Sequence, residues 1–91
     1  MSEIRIQYYG SIRAAAQKSE EQMDVSANMT VYQLLQQLDL QDELFESENK
    51  NIREDVTILI NGNIINHEDT LDLNIQPGDI IALLPIFPGG G

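Results

Sequence analysis

With 91 residues, 42% of them hydrophobic, the chain is long enough for one domain around one core and too short for two. Fifteen acidic against five basic residues give a formal charge of −10, and Arg5, Arg13, Lys18, Lys50 and Arg53 are scattered, which argues against a nucleic-acid partner and fits equally a surface charged for solubility and one that steers the chain toward a basic patch on another protein. The absence of cysteine excludes disulfides, thiolate metal sites and cysteine nucleophiles, so any sulfur chemistry must use another molecule's sulfur.

Ile4, Ile6 and Tyr8 alternate with Arg5, Gln7 and Tyr9, the period-two pattern of a strand with one buried face, which Gly10-Ser11 ends. Residues 12–17 have the composition of a helical turn, but their length and position suit the connection of a wide hairpin. Glu21 to Ser26 alternates again with Met23 and Val25 inward, a second strand pairing antiparallel with the first. Thr30 and Gln33 form a capping-box signature, and Val31, Leu34, Leu35 and Leu38 follow at helical spacing as one core-facing stripe.

From Asp39 to Asp55 the chain is polar and acidic around Leu40, Leu44 and Phe45, a short helical turn followed by a loop. Its carboxylates, Asp42, Glu43, Glu46 and Glu48, lack the spacing and turn glycine of a calcium loop, so they read as solvated surface and no metal site is expected. Val56, Ile58 and Ile60 define a third strand that turns at Asn61-Gly62 into Asn63-Ile64-Ile65. His67, beside Glu68 and Asp69, reads as a surface loop residue, and Leu71, Leu73 and Ile75 as filling for the gap before a turn at Gln76-Pro77-Gly78-Asp79. Residues 80–84 are apolar on both sides and predict a central strand.

The order strand, strand, helix, strand, short strand, strand predicts an α+β fold of the β-grasp type, a mixed sheet with one main helix packed on one face. The expected division is a β-grasp domain over 1–84 and a flexible carboxyl-terminal tail over 85–91. That tail, Pro85-Ile86-Phe87-Pro88-Gly89-Gly90-Gly91, combines two prolines with three terminal glycines. Fully extended it would span roughly 23 to 25 Å, enough to carry the terminal carboxylate into a narrow cleft of another protein. From these residues alone the tail reads equally as a reaching arm or as a frayed end.

Three stretches together resemble the sulfur-carrier branch of the ubiquitin-like proteins, closest to the small subunit of molybdopterin synthase. They are residues 4–13 (IRIQYYGSIR), residues 59–62 (LING), and residues 76–85 (QPGDIIALLP) leading into the glycines. The resemblance implies that the terminal glycine carboxylate is adenylated by an ATP-using, E1-like enzyme and converted to a thiocarboxylate with sulfur from a donor. The carrier itself would then bind no cofactor and hold no catalytic group. The large subunit of molybdopterin synthase would receive the tail and its sulfur.

By the same resemblance Gly91 is the expected sulfur acceptor, with Gly90 the alternative after trimming, because Gly89-Gly90 aligns with the family's usual terminal pair. Pro85, Phe87, Pro88, Gly89 and Gly90 are the expected tail-recognition residues, and Tyr9, Ile64 and Leu84 the expected docking residues on the sheet. A ubiquitin-like modifier that joins its terminal glycine to lysines is the second reading, and a carrier for thiazole synthesis is disfavoured by the long segment from Asp39 to Asp55. The amino terminus shows no signal-peptide pattern and no apolar run reaches membrane-spanning length, so a cytoplasmic protein without membrane contact is expected.

Overall fold

The computed structural model describes residues 2–26 and 28–85. Strand β1 (Ser2–Tyr8) leads into helix α1 (Gly10–Ala16) and strand β2 (Glu20–Val25). Helices α2 (Val31–Gln37) and α3 (Gln41–Leu44) follow, then β3 (Val56–Ile60), β4 (Asn63–Ile65), a 3-10 turn over His67–Leu71, and β5 (Ile80–Pro85). The sheet order is β2-β1-β5-β3-β4, with β1 and β5 parallel at its centre and the other pairs antiparallel. This is the β-grasp arrangement expected from the sequence.

The period-two alternation sorts each strand between two faces. Ile4, Ile6, Tyr8, Val56, Ile58, Ile60, Ile81 and Leu83 lie on the inner face and are buried. Helix α2 supplies Val31, Leu34 and Leu35, all fully buried, with Leu38 just beyond its last turn. Its start is closed by the anticipated capping box. Thr30 Oγ1 accepts from the Gln33 N–H at 3.2 Å while Gln33 Oε1 accepts from the Thr30 N–H at 2.9 Å. At the other end Gln41 Nε2 donates to the carbonyls of Leu38 at 2.7 Å and Gln36 at 3.0 Å, partnering oxygens that a helix end leaves free. The acidic segment after α2 is anchored by buried Leu40, Leu44, Phe45 and Ile52, with the Tyr32 and Phe45 rings edge to face at 5.3 Å.

Three expectations change. The connection between β1 and β2 is not irregular: residues 10–16 form two helical turns, of which only Ile12 is buried. Such a helix lacks an apolar stripe and a side-chain cap, the two features by which sequence announces a helix. Leu71 and Leu73 do not fill the core but are exposed, whereas Ile75 is buried. The backbone explains this, because the Val31 N–H donates to the Leu73 carbonyl and the Ile75 N–H to the Met29 carbonyl, tying the segment beside the start of α2. Thr70 is buried instead, its hydroxyl donating to the His67 carbonyl at 2.5 Å. His67 lies in the 3-10 turn rather than a loop, half-buried, and its Nε2 lies 2.6 Å from the Val56 carbonyl, which can only accept.

Strand β5 is fixed at its start by two turns. Asn61, in a left-handed conformation at φ 51, accepts the Ile80 N–H on Oδ1 at 3.0 Å and donates through Nδ2 to Asp79 at 3.0 Å. Asp79 also accepts the Gln76 N–H at 2.8 Å. On the outer strand β2, Glu21 points to the inner face and accepts the Tyr8 hydroxyl, with Lys18 at 3.2 Å. Burial, and then the neighbouring Glu21 carboxylate, push the Tyr8 phenol well above its ordinary value of 10.0.

Leu35→Ala should lower unfolding stability by about 2–5 kcal/mol in urea titration, and Thr30→Ala by about 1 kcal/mol. The folded chain holds the Tyr8 proton more tightly than the unfolded chain. The resulting stabilisation is complete below about pH 10 and is lost as pH rises through the raised folded value, so urea midpoints at about pH 8 and about pH 11 should diverge. Glu21→Gln should move Tyr8 ionisation, followed by ultraviolet absorbance, back toward the ordinary range, with burial holding part of the shift.

Candidate functional site

The strand that leads into the tail sequence lies in the middle of the sheet and is paired on both sides. β5 pairs with β1 through Arg5 to Tyr8 on one side and with β3 through Val56 to Ile60 on the other. Pro85 is the last strand residue, opposite Val56, so the regular strand extends one residue beyond the expected 80–84. On the β1 side the Tyr9 N–H donates to the Leu83 carbonyl at 3.1 Å. The predicted acceptors Gly91 and Gly90, and the tail residues Phe87, Pro88 and Gly89, lie outside the described residues.

Alternation that buries Ile81 and Leu83 turns Ile80, Ala82 and Leu84 to the sheet's other face, which no helix covers. Cross-strand register carries this face outward: Gln7, Ala82, Leu59 and Ile64 form one row, and Leu84 and Thr57 stand in the next. Of the predicted docking residues, Ile64 is the most open at 73% exposed. Tyr9 is exposed and donates its hydroxyl to Gln7 at 3.2 Å, which lays it over the same face. Leu84 is half-buried. The structure thus brings all three to one side of the sheet and adds Ile80, Ala82 and Leu59, which sequence reasoning had passed over. The signal was present in Leu59, since inward Ile58 and Ile60 force the residue between them outward.

This face divides chemically. Its β5, β3 and β4 half is apolar, whereas its β1 and β2 half carries Glu3, Arg5, Gln7, Glu20, Gln22 and Asp24, with Arg5 and Glu20 at 3.6 Å. Beside Pro85 a shallow cleft is lined by Ser11, Ile12, Ala15, Asp42, Glu43, Arg53, Asp55 and Val56. Within it Arg53 donates to both carboxylate oxygens of Asp55, at 3.1 and 3.3 Å, and holds that carboxyl below its ordinary range. Among the described residues there is no group of three or more acidic or histidine side chains able to hold a metal ion, and no helix long and apolar enough to cross a membrane. Among the described residues the arrangement provides a central strand paired on both sides, a partly apolar open face and an acidic surround.

A five-stranded mixed sheet in the order β2-β1-β5-β3-β4, with α2 packed on one face, is the β-grasp fold of the ubiquitin-like proteins. The ThiS family model matches residues 6–90, and the chain belongs to that family of ubiquitin-like sulfur carriers. The fold is similar to that of small archaeal modifier protein 1 from Haloferax volcanii, with a TM-score of 0.82 at 22% identity over 97% of this chain and 99% of that one. It is also similar to small archaeal modifier protein 1 from Methanosarcina acetivorans, with a TM-score of 0.79 at 27% identity over 99% and 98% of the two chains. A candidate molybdopterin converting factor, subunit 1, from Pyrococcus furiosus gives a TM-score of 0.73 at 19% identity over 96% and 100%. Among curated proteins no sequence match was found.

Proposed function

We propose that this chain is a sulfur carrier whose terminal glycine carboxylate is adenylated, thiocarboxylated and then used to donate sulfur in molybdopterin synthesis. The observation that carries this reading is the extent of the family match, which runs from β1 through the sheet and into the glycine tail, to residue 90. A domain that keeps its fold in the sheet and its chemistry in a terminal carboxylate needs no catalytic residues of its own. An E1-like partner with ATP would supply the first step: a carboxylate oxygen attacks the α-phosphorus and pyrophosphate leaves. A hydrosulfide equivalent from a sulfur donor then attacks the acyl carbon and displaces AMP. The carrier binds no cofactor in either step.

The large subunit of a molybdopterin synthase is the proposed recipient of the sulfur. Its docking surface on this chain is the apolar half of the open sheet face, with Ile64 and Leu84, bordered on the β1 side by Tyr9, and the surrounding acidic residues favour basic residues on the partner. The candidate molybdopterin converting factor from Pyrococcus furiosus, which shares this fold, is in keeping with that assignment. Conjugation to lysine through the same adenylate is a second reading, favoured by the two modifier proteins among the similar structures. Gly91 is the proposed acceptor. The family match stops one residue short of it, so Gly90 after trimming is the alternative that intact mass separates.

Incubation with an E1-like enzyme, ATP and a sulfur donor should give an intact mass corresponding to one oxygen replaced by sulfur. No such product with several candidate enzymes would overturn the carrier reading, and glycine remnants on cellular lysines would establish the modifier reading. Deleting Gly90 and Gly91 should abolish the product and leave the thermal midpoint unchanged. Ile64→Asp should weaken association with the large subunit about 10-fold or more, read by titration calorimetry, because it places an unpaired charge in an apolar contact.

A further inference from the structure

Gly10 combines two features that the turn glycines do not. Its φ is +57, and a Cβ built on it would lie 2.6 Å from Cγ and 3.1 Å from Cδ of Pro85. Gly62 and Gly78 also have positive φ, yet a Cβ on either would meet nothing within 4 Å. At those two positions only the turn demands glycine. At Gly10 a close approach demands it as well, and the atoms approached belong to the last residue of the strand from which the tail departs.

Pro85 has little freedom to yield. Val56 stands opposite it across the β3 pairing, and two residues earlier the Leu83 carbonyl is held by the Tyr9 N–H. The pyrrolidine ring is rigid and fixes its own φ, so an added methyl at position 10 cannot be met by a rotamer change, and backbone must move. The same contact gives α1 a purpose that its single buried residue does not. Its first turns, with Ser11, Ile12 and Ala15, form the wall of the cleft against Pro85.

We propose that Gly10 is a positioning residue for tail chemistry: by letting the chain after β1 close on the Pro85 ring, it holds in place the residue at which β5 ends and the tail sequence begins. The proposal rests on the carrier reading above. Six residues separate Pro85 from the terminal carboxylate. Adenylation requires the carboxylate oxygen to meet a phosphorus held on another protein, and a misplacement of about 1 Å in such an alignment can cost on the order of 100-fold in rate.

The test is a double-mutant cycle on the full chain, using the enzyme that adenylates the wild type and following pyrophosphate release, with thermal midpoints measured alongside. Gly10→Ala should lower kcat/KM by about 10-fold or more. The loss should lie mainly in kcat, because the change displaces the root of the reacting tail and removes no side chain that binds the enzyme. Pro85→Ala, which removes the ring that Gly10 contacts, should show a similar loss while remaining folded. The double variant should lose less than the two single losses multiplied together, since the clash with the ring is gone and only the strain of the positive φ remains.

Wild-type kinetics in Gly10→Ala would overturn the proposal, as would losses that multiply in the double variant, which would mark backbone strain acting independently of Pro85. Should Gly10→Ala not fold, Pro85→Ala decides alone: reduced kcat supports the proposal and wild-type kinetics overturns it. Failure of the wild-type chain to be adenylated by any candidate enzyme would instead overturn the carrier function.

Discussion

The parallel pairing of β1 with β5 is the constraint on which the remaining structure depends. A parallel pair cannot be closed by a tight turn, so the whole intervening chain must travel across the sheet and return. Two antiparallel additions, β2 on one flank and β3 with β4 on the other, leave the first and last strands in the centre. The inner face then needs a cover, which α2 provides with its buried Val31, Leu34 and Leu35. Placing the last strand in the middle also gives the carboxyl terminus an origin hydrogen-bonded on both sides. That central placement of β5 follows from topology before any partner is considered.

Much of this was legible because local chemistry and global pattern agree. Thr30 and Gln33 announce the start of α2 and the leucine spacing announces its buried side, while Asn61-Gly62 and Pro77-Gly78 mark turns by the φ values they tolerate. The inward residues of β1 and β3 followed from alternation alone. What escaped the sequence reading lacked such redundancy. Helix α1 buries one residue and has no side-chain cap, so its helix-compatible composition had no periodicity or capping signal to support it against a hairpin connection. Leu71 and Leu73 look like core and are not, because backbone hydrogen bonds to α2 determine which way that segment faces.

The candidate site divides along the same line. Glycines at the terminus and a strand leading into them are visible in sequence, as is the outward position of Ile64. The meeting of Gly10 with Pro85 is not, since it joins residues at opposite ends of the chain and is expressed only as a distance. Gly10 read alone was a strand terminator. Tyr8 is comparable: its alternation predicted burial, but not that its hydroxyl would reach an inward carboxylate on the outer strand. That inward charge also makes β2 a poor template for a further strand, one way in which natural edge strands avoid unwanted pairing.

The parity of β5 has a consequence for how such a protein can diversify. Ile81 and Leu83 face the core, and Ile80, Ala82 and Leu84 face outward. Adjacent positions on a single strand therefore answer to separate demands: the odd-numbered residues must fit the core, whereas the even-numbered ones are released from it. The outward row can change in sequence while the inward row keeps its packing, and the scaffold is inherited intact.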